Sequence, residues 1–115
     1  MTEKLFKQIS IGKDGSAWAI GKEDSRVYRL VNAGTRALIW IPNKAGRATS
    51  LAAVDKGSAW CVNEEGQIWQ LTDWEYVSNE GRWTNVPTKS GRNDAKSIAV
   101  AKDGTVWYTQ ADDVI

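Results

Sequence analysis

Two tryptophans lead into the same basic phrase. Trp40 is followed by Pro42 and then Lys44-Ala-Gly-Arg47, and Trp83 by Pro87 and then Lys89-Ser-Gly-Arg92. This combination suits carbohydrate. The flat face of an indole covers the apolar side of a sugar ring, while lysine and arginine donate hydrogen bonds to hydroxyls or to an anionic substituent. Asn63, in the polar turn Asn63-Glu-Glu-Gly66, adds an amide that strand order brings to the same rim. The candidate ligand-binding set is therefore Trp40, Lys44, Arg47, Asn63, Trp83, Lys89 and Arg92. Solvated surface charge explains each cation singly, and both tryptophans are open to packing as well as to ligand contact. Trp74 and Tyr76 form a second candidate, as ligand or subunit contacts. They fall in a loop, residues 72–82, that only one of the repeats described below possesses, and aromatics in loops are less readily explained by a core.

Catalytic chemistry is hard to find. The chain has no histidine, the commonest acid–base group and metal ligand at neutral pH. It carries no nucleophile elbow and no phosphate-cradling glycine loop. Glu64 with Glu65, and Asp112 with Asp113, are adjacent in sequence and read as solvated turn or terminal charges; glycosidase carboxylates face each other across a cleft from separate elements. Aspartates in the turns are turn formers, because no alternating series of oxygen ligands follows them to hold calcium. Cys61 is a lone cysteine in a slot filled elsewhere by Ala19, and reads as a small buried apolar residue. The expectation is a protein that is not an enzyme, with no metal site and no cofactor.

A net charge of +1 with 25% charged residues gives no global attraction to nucleic acid. No apolar run is long enough to span a bilayer. Met1-Thr-Glu-Lys-Leu5 carries no signal-peptide pattern, so a cytoplasmic or non-classically secreted protein is expected.

The elements that position these residues come from a repeat. Leu51-Ala-Ala-Val-Asp-Lys-Gly-Ser-Ala-Trp60 has counterparts in Ile9-Ser-Ile-Gly-Lys-Asp-Gly-Ser-Ala-Trp18 and Ile98-Ala-Val-Ala-Lys-Asp-Gly-Thr-Val-Trp107. Each phrase is an apolar strand, a tight Asp- and Gly-bearing turn and a second strand ending in tryptophan. Period-two alternation then predicts third strands over 26–31 and 67–71, where Tyr28 and Trp69 hold matching packing slots. Fourth strands over 37–41 and 83–86 each end at a proline, which belongs at an edge or a strand end. Trp18, Trp60 and Trp107 read as packing between units. The repeats span about 5–47, about 48–92 and, in part, about 93–115. No segment has a helical period, so the chain is all-β.

Units of four short antiparallel strands fit the blades of a β-propeller. A ten-strand sandwich is the competing arrangement, but sandwich strands are not identical modules. The phrases Phe6-Lys-Gln-Ile-Ser-Ile-Gly-Lys-Asp-Gly-Ser-Ala-Trp18 and Gly66-Gln-Ile-Trp-Gln-Leu71, with Trp40 and Trp83 introducing each return, resemble tectonin repeats, which are related in style to tachylectin-like lectins. The resemblance covers nearly the whole chain. It implies a propeller, usually six-bladed, that often binds glycans, with other members acting as interaction modules inside cells. About two and a half blades cannot close a ring and would leave apolar blade faces uncovered. The expectation is a fragment, or a homo-oligomer, with a dimer favoured, that closes around one axis. The function expected is a lectin with repeated sites. The alternative is a protein–protein interaction scaffold of the same fold.

Overall fold

The computed structural model of the chain describes residues 5–32, 38–75, 80–88 and 91–110, with backbone alone for 32, 38–39, 43–46 and 80. The described residues form ten strands and no helix: β1 (Phe6–Ile11), β2 (Ala17–Gly21), β3 (Arg26–Asn32), β4 (Leu38–Arg47), β5 (Ser50–Asp55), β6 (Ser58–Val62), β7 (Ile68–Glu75), β8 (Glu80–Val86), β9 (Ala95–Val100) and β10 (Val106–Gln110). They make three antiparallel sheets in chain order, β1-β2-β3-β4, β5-β6-β7-β8 and β9-β10. The all-β expectation with four-stranded units holds.

The turns follow from their residues. In the first and third units the hairpin closes through Gly12 N–H to Ser16 O and Ala101 N–H to Thr105 O, and the glycine takes positive φ, 86° at Gly15 and 93° at Gly104. A three-residue hairpin loop needs a left-handed residue at that place. Asp14 caps its turn by accepting from the Ser16 amide and hydroxyl, and Asp103 accepts from the Thr105 amide. Those bonds hold both carboxyls below the usual aspartate range.

Ladder partners share a face, so the register sorts each sheet into two sides. On the first sheet Trp18, Ile20, Val27, Arg29 and Ile41 face the second sheet. The second sheet answers with Leu51, Ala53, Ala59, Cys61, Leu71 and Trp83. A second, smaller core joins Ala52, Val62 and Ile68 to Ala95 and Ile98 of the third sheet, with Trp60 beside it. The sheets pack most closely through their inner strands, β1 on β5 and β5 on β9. Backbone polar groups are paired across this seam: Ser10 Oγ accepts from Ala53 N–H at 2.9 Å, Gln8 bonds both the N–H and the carbonyl of Leu51, and Ser50 Oγ accepts from Ile98 N–H at 3.0 Å. Small residues are required there. A Cβ on Gly12 would stand 2.9 Å from the Val54 carbonyl oxygen.

Three expectations change. β4 does not end at Pro42 but runs on to Arg47, pairing Pro42 with Tyr28 and Arg47 with Arg26. An edge strand has a ladder on one side only, so a missing donor is tolerated there. The phrase 44–47 is therefore strand in the first unit, not loop.

Trp74 is likewise not in a loop: β7 continues to Glu75, and Trp74 is only 2% exposed. Strict alternation from Leu71 would turn Trp74 toward the third sheet. Instead the register shifts between Thr72 and Glu75, with Asp73 at φ 56°. Such a bulge re-aims the next side chain, and Trp74 lands against Trp18, ring centroids 5.1 Å apart, under the Arg29 guanidinium.

Trp107, expected in a core, is 67% exposed, because no further sheet among the described residues covers its face.

Candidate ligand-binding cleft

Sheets that meet at their inner strands diverge toward their outer ones. Between the first two sheets this divergence leaves a cleft of about 780 Å³, lined by Arg47, Cys61, Asn63, Glu64, Glu65, Gln67, Trp69 and Trp83. Arg47 comes from the end of β4 on one wall. The other wall is the second sheet: Cys61 on β6, Trp69 on β7, Trp83 on β8 and the turn between β6 and β7.

Ladder register puts both indoles on the cleft side. Leu51 pairs with Cys61 and Cys61 with Trp69, while Leu71 pairs with Trp83. Both tryptophans are half-buried. Trp83 packs partly on the core below.

The turn supplies the polar rim. Asn63 Oδ1 accepts from the Glu65 and Gln67 amides at 3.0 Å each, and its Nδ2 donates to Gln67 Oε1 at 2.9 Å. Most of the Asn63 side chain is thus committed to shaping the turn, and it orients Gln67 toward the cleft. Gly66 closes the turn at φ 77°, where a Cβ would meet the Asn93 carbonyl oxygen. Arg47, Glu64 and Glu65 are exposed at the mouth. Their charges can accept or donate hydrogen bonds to hydroxyls.

Cys61 offers no reactivity. Burial pushes its thiol from 9.0 up to about 12, so the sulfur stays protonated and acts as an apolar wall.

The residues singled out from sequence divide as follows. Arg47, Asn63 and Trp83 come together in this cleft. Trp40 lies on the opposite face of the first sheet, its ring 4.7 Å from that of Phe6. Arg92 is elsewhere, exposed and 3.7 Å from Asp94 beside the third sheet. The backbone of Lys44 is in β4, while Lys89 and Tyr76 lie outside the described residues. Trp74 lines the opposite rim with Asp14, Arg29, Asp55 and Asp73, where its ring is buried.

Sequence reasoning missed Trp69, Gln67 and the two glutamates. Trp69 shares the slot of Tyr28, which by itself points to packing. The usable signal was its two-residue spacing from Leu71, which sets both on one face of β7.

The family model for the Tectonin domain matches residues 1–115. The chain belongs to the tectonin family. A search among curated proteins found no match. Membership sets this tectonin domain in a propeller-type family of lectins and interaction modules, and two of its three described sheets are four-stranded and antiparallel. No helix among the described residues of this tectonin domain is long and apolar enough to cross a membrane.

Proposed function

We propose that this tectonin domain binds carbohydrate, without catalysis, in the cleft between its first two sheets. One observation carries the reading: two tryptophans from neighbouring strands, Trp69 and Trp83, wall a cleft whose mouth carries Arg47, Gln67, Glu64 and Glu65. A sugar ring has an apolar face for an indole and an equatorial belt of hydroxyls for a mixed set of donors and acceptors. An apolar ligand would have little use for the polar mouth. A nucleic acid would meet two carboxylates and one cation.

Screening a broad panel of immobilised glycans, followed by titration of tryptophan emission, tests this. Binding with a change in emission is expected. Arg47→Ala, at an exposed position, is expected to weaken it by about tenfold, the worth of one charge-assisted hydrogen bond. Silence on every glycan would defeat the reading.

A second reading concerns assembly. The outward face of the first sheet exposes Ile9 and Ile11 at 59% and 60%, and the far face of the third sheet exposes Trp107 at 67%. The repeat makes these faces the two halves of the contact already made inside the chain, where Trp18 lies over Leu51 and Ala53. Head-to-tail self-association, with a dimer favoured, would cover both and close a propeller.

A further inference from the structure

We propose that Phe6 fills in the first unit the place that a bound sugar ring takes in the second, and that Ala48 keeps the second place open. The proposal rests on the carbohydrate reading of the cleft and says which of the repeated sites are real.

The first two sheets have corresponding ladders. Ile9 pairs with Ala19 and Ala19 with Tyr28, as Leu51 pairs with Cys61 and Cys61 with Trp69. Leu30 pairs with Trp40 as Leu71 pairs with Trp83. Tyr28 and Trp40 are therefore the first unit's copies of the two indoles that wall the cleft. In the first unit the Phe6 ring bridges them, with centroids 5.5 Å from Tyr28 and 4.7 Å from Trp40.

Three residues before Ile9 is Phe6; three before Leu51 is Ala48. Ala48 is held in place by its N–H to the Ser25 carbonyl at 2.8 Å and is 2% exposed. Ala48 itself is buried in the core between the two sheets, next in sequence to the cleft residue Arg47. A methyl group there does not reach Trp69 and Trp83, whereas a phenyl placed as Phe6 is would extend toward both. The third unit has Ala95, held by the equivalent bond to the Gly66 carbonyl. Its described strands end at β10, before any partner for Trp69 or Trp83. The cleft beside it is lined by polar and small residues, among them Thr49, Asn63, Glu64 and Lys96. One unit is plugged, one is open, and one lacks the aromatic walls among its described residues.

A six-membered saccharide ring matches the phenyl it replaces in size; in the first unit that phenyl meets Tyr28 edge-on at 64° and Trp40 tilted at 53°. This fixes the ligand's anchoring part as a single saccharide ring, with the rest of a glycan leaving through the mouth past Arg47.

The test uses methyl glycosides of the common hexoses and N-acetylhexosamines, titrated against the whole chain by calorimetry and tryptophan emission. Wild type is expected to bind one glycoside per chain. Ala48→Phe is expected to lose at least about tenfold in affinity, with an unchanged far-ultraviolet spectrum and an altered tryptophan emission even without sugar. Phe6→Ala is expected to leave the affinity of the cleft within about twofold. Folded Ala48→Phe that binds as wild type does, while wild type binds, would overturn this proposal alone. So would two or three glycosides per wild-type chain, a count that needs no variant. Wild type binding no glycoside would overturn the carbohydrate reading and this proposal together.

Discussion

Cys61 is the clearest case of a side chain whose chemistry is set by its surroundings. It stands in the seam between the first two sheets with Leu51 and Trp69 as ladder partners. Desolvation disfavours the thiolate, so the folded pKa lies near 12 against 9.0 in the unfolded chain. The sign follows directly. Below pH 9 the thiol is neutral in both states and its contribution to stability is complete. As pH rises from 9 toward 12 only the unfolded chain ionises, and that contribution is lost. The denaturant midpoint of the wild type should therefore fall relative to Cys61→Ala between pH 8 and pH 11. A thiol reagent at pH 8 should modify the unfolded chain and leave the folded one intact.

The same scale explains what a reader of the sequence could see. Arg47 and Trp83 stand out by residue type and recurrence, Asn63 by the rim to which strand order assigns it, and the three converge. The Asn63 amide oxygen also serves the turn, accepting from the Glu65 and Gln67 amides. Trp69 is signalled only by its two-residue spacing from Leu71, and Phe6 by nothing in its own unit. Their roles come from which neighbour in the other repeat is large and which is small.

At the scale of elements, hairpins and four-stranded units were legible because period-two alternation and Asp-Gly turns act locally. The bulge at Asp73 was not. Aspartate tolerates positive φ, but what rewards it here lies outside the segment: the ring of Trp18, the Arg29 guanidinium and the Gly57 carbonyl that accepts from Trp74 N–H at 3.0 Å. The proline in β4 misled for the opposite reason. It is a strong local signal, overruled by the tolerance of an edge strand.

The bulge has a measurable consequence. Trp74 links β7 to the first sheet through Trp18, the Arg29 guanidinium 4.9 Å from its ring and the bond from Arg29 Nη1 to its carbonyl at 2.9 Å. Trp74→Ala empties that contact and should cost about 3–5 kcal/mol of unfolding free energy, the range for large aromatic truncations in a core. Trp107→Ala, on the uncovered face, should cost within about 0.5 kcal/mol in the monomer. Denaturant titrations of the two variants side by side check the contrast.

The whole molecule is a stack with unlike ends. Among the described residues, apolar groups of β1 are exposed at one end and Trp107 at the other. Uncovered faces at the ends are what a count of about two and a half repeats leads one to expect. The identity of the open cleft was not legible, because it depends on how far two sheets diverge. Self-association should appear as a native mass above that of one chain, and Ile11→Lys at the open end should return it to the monomer. A monomer at high concentration, with no change on that substitution, would remove the assembly reading and leave the cleft intact.

The carbohydrate cleft is the central claim, and location tests it more directly than affinity. A crystal of the chain grown with the best-binding glycan of the panel should hold a sugar ring over Trp69 and Trp83, with Arg47 and Gln67 within hydrogen-bond reach. A glycan bound instead over Trp40, or on the rim of Arg29 and Asp73 with the cleft empty, would contradict the account.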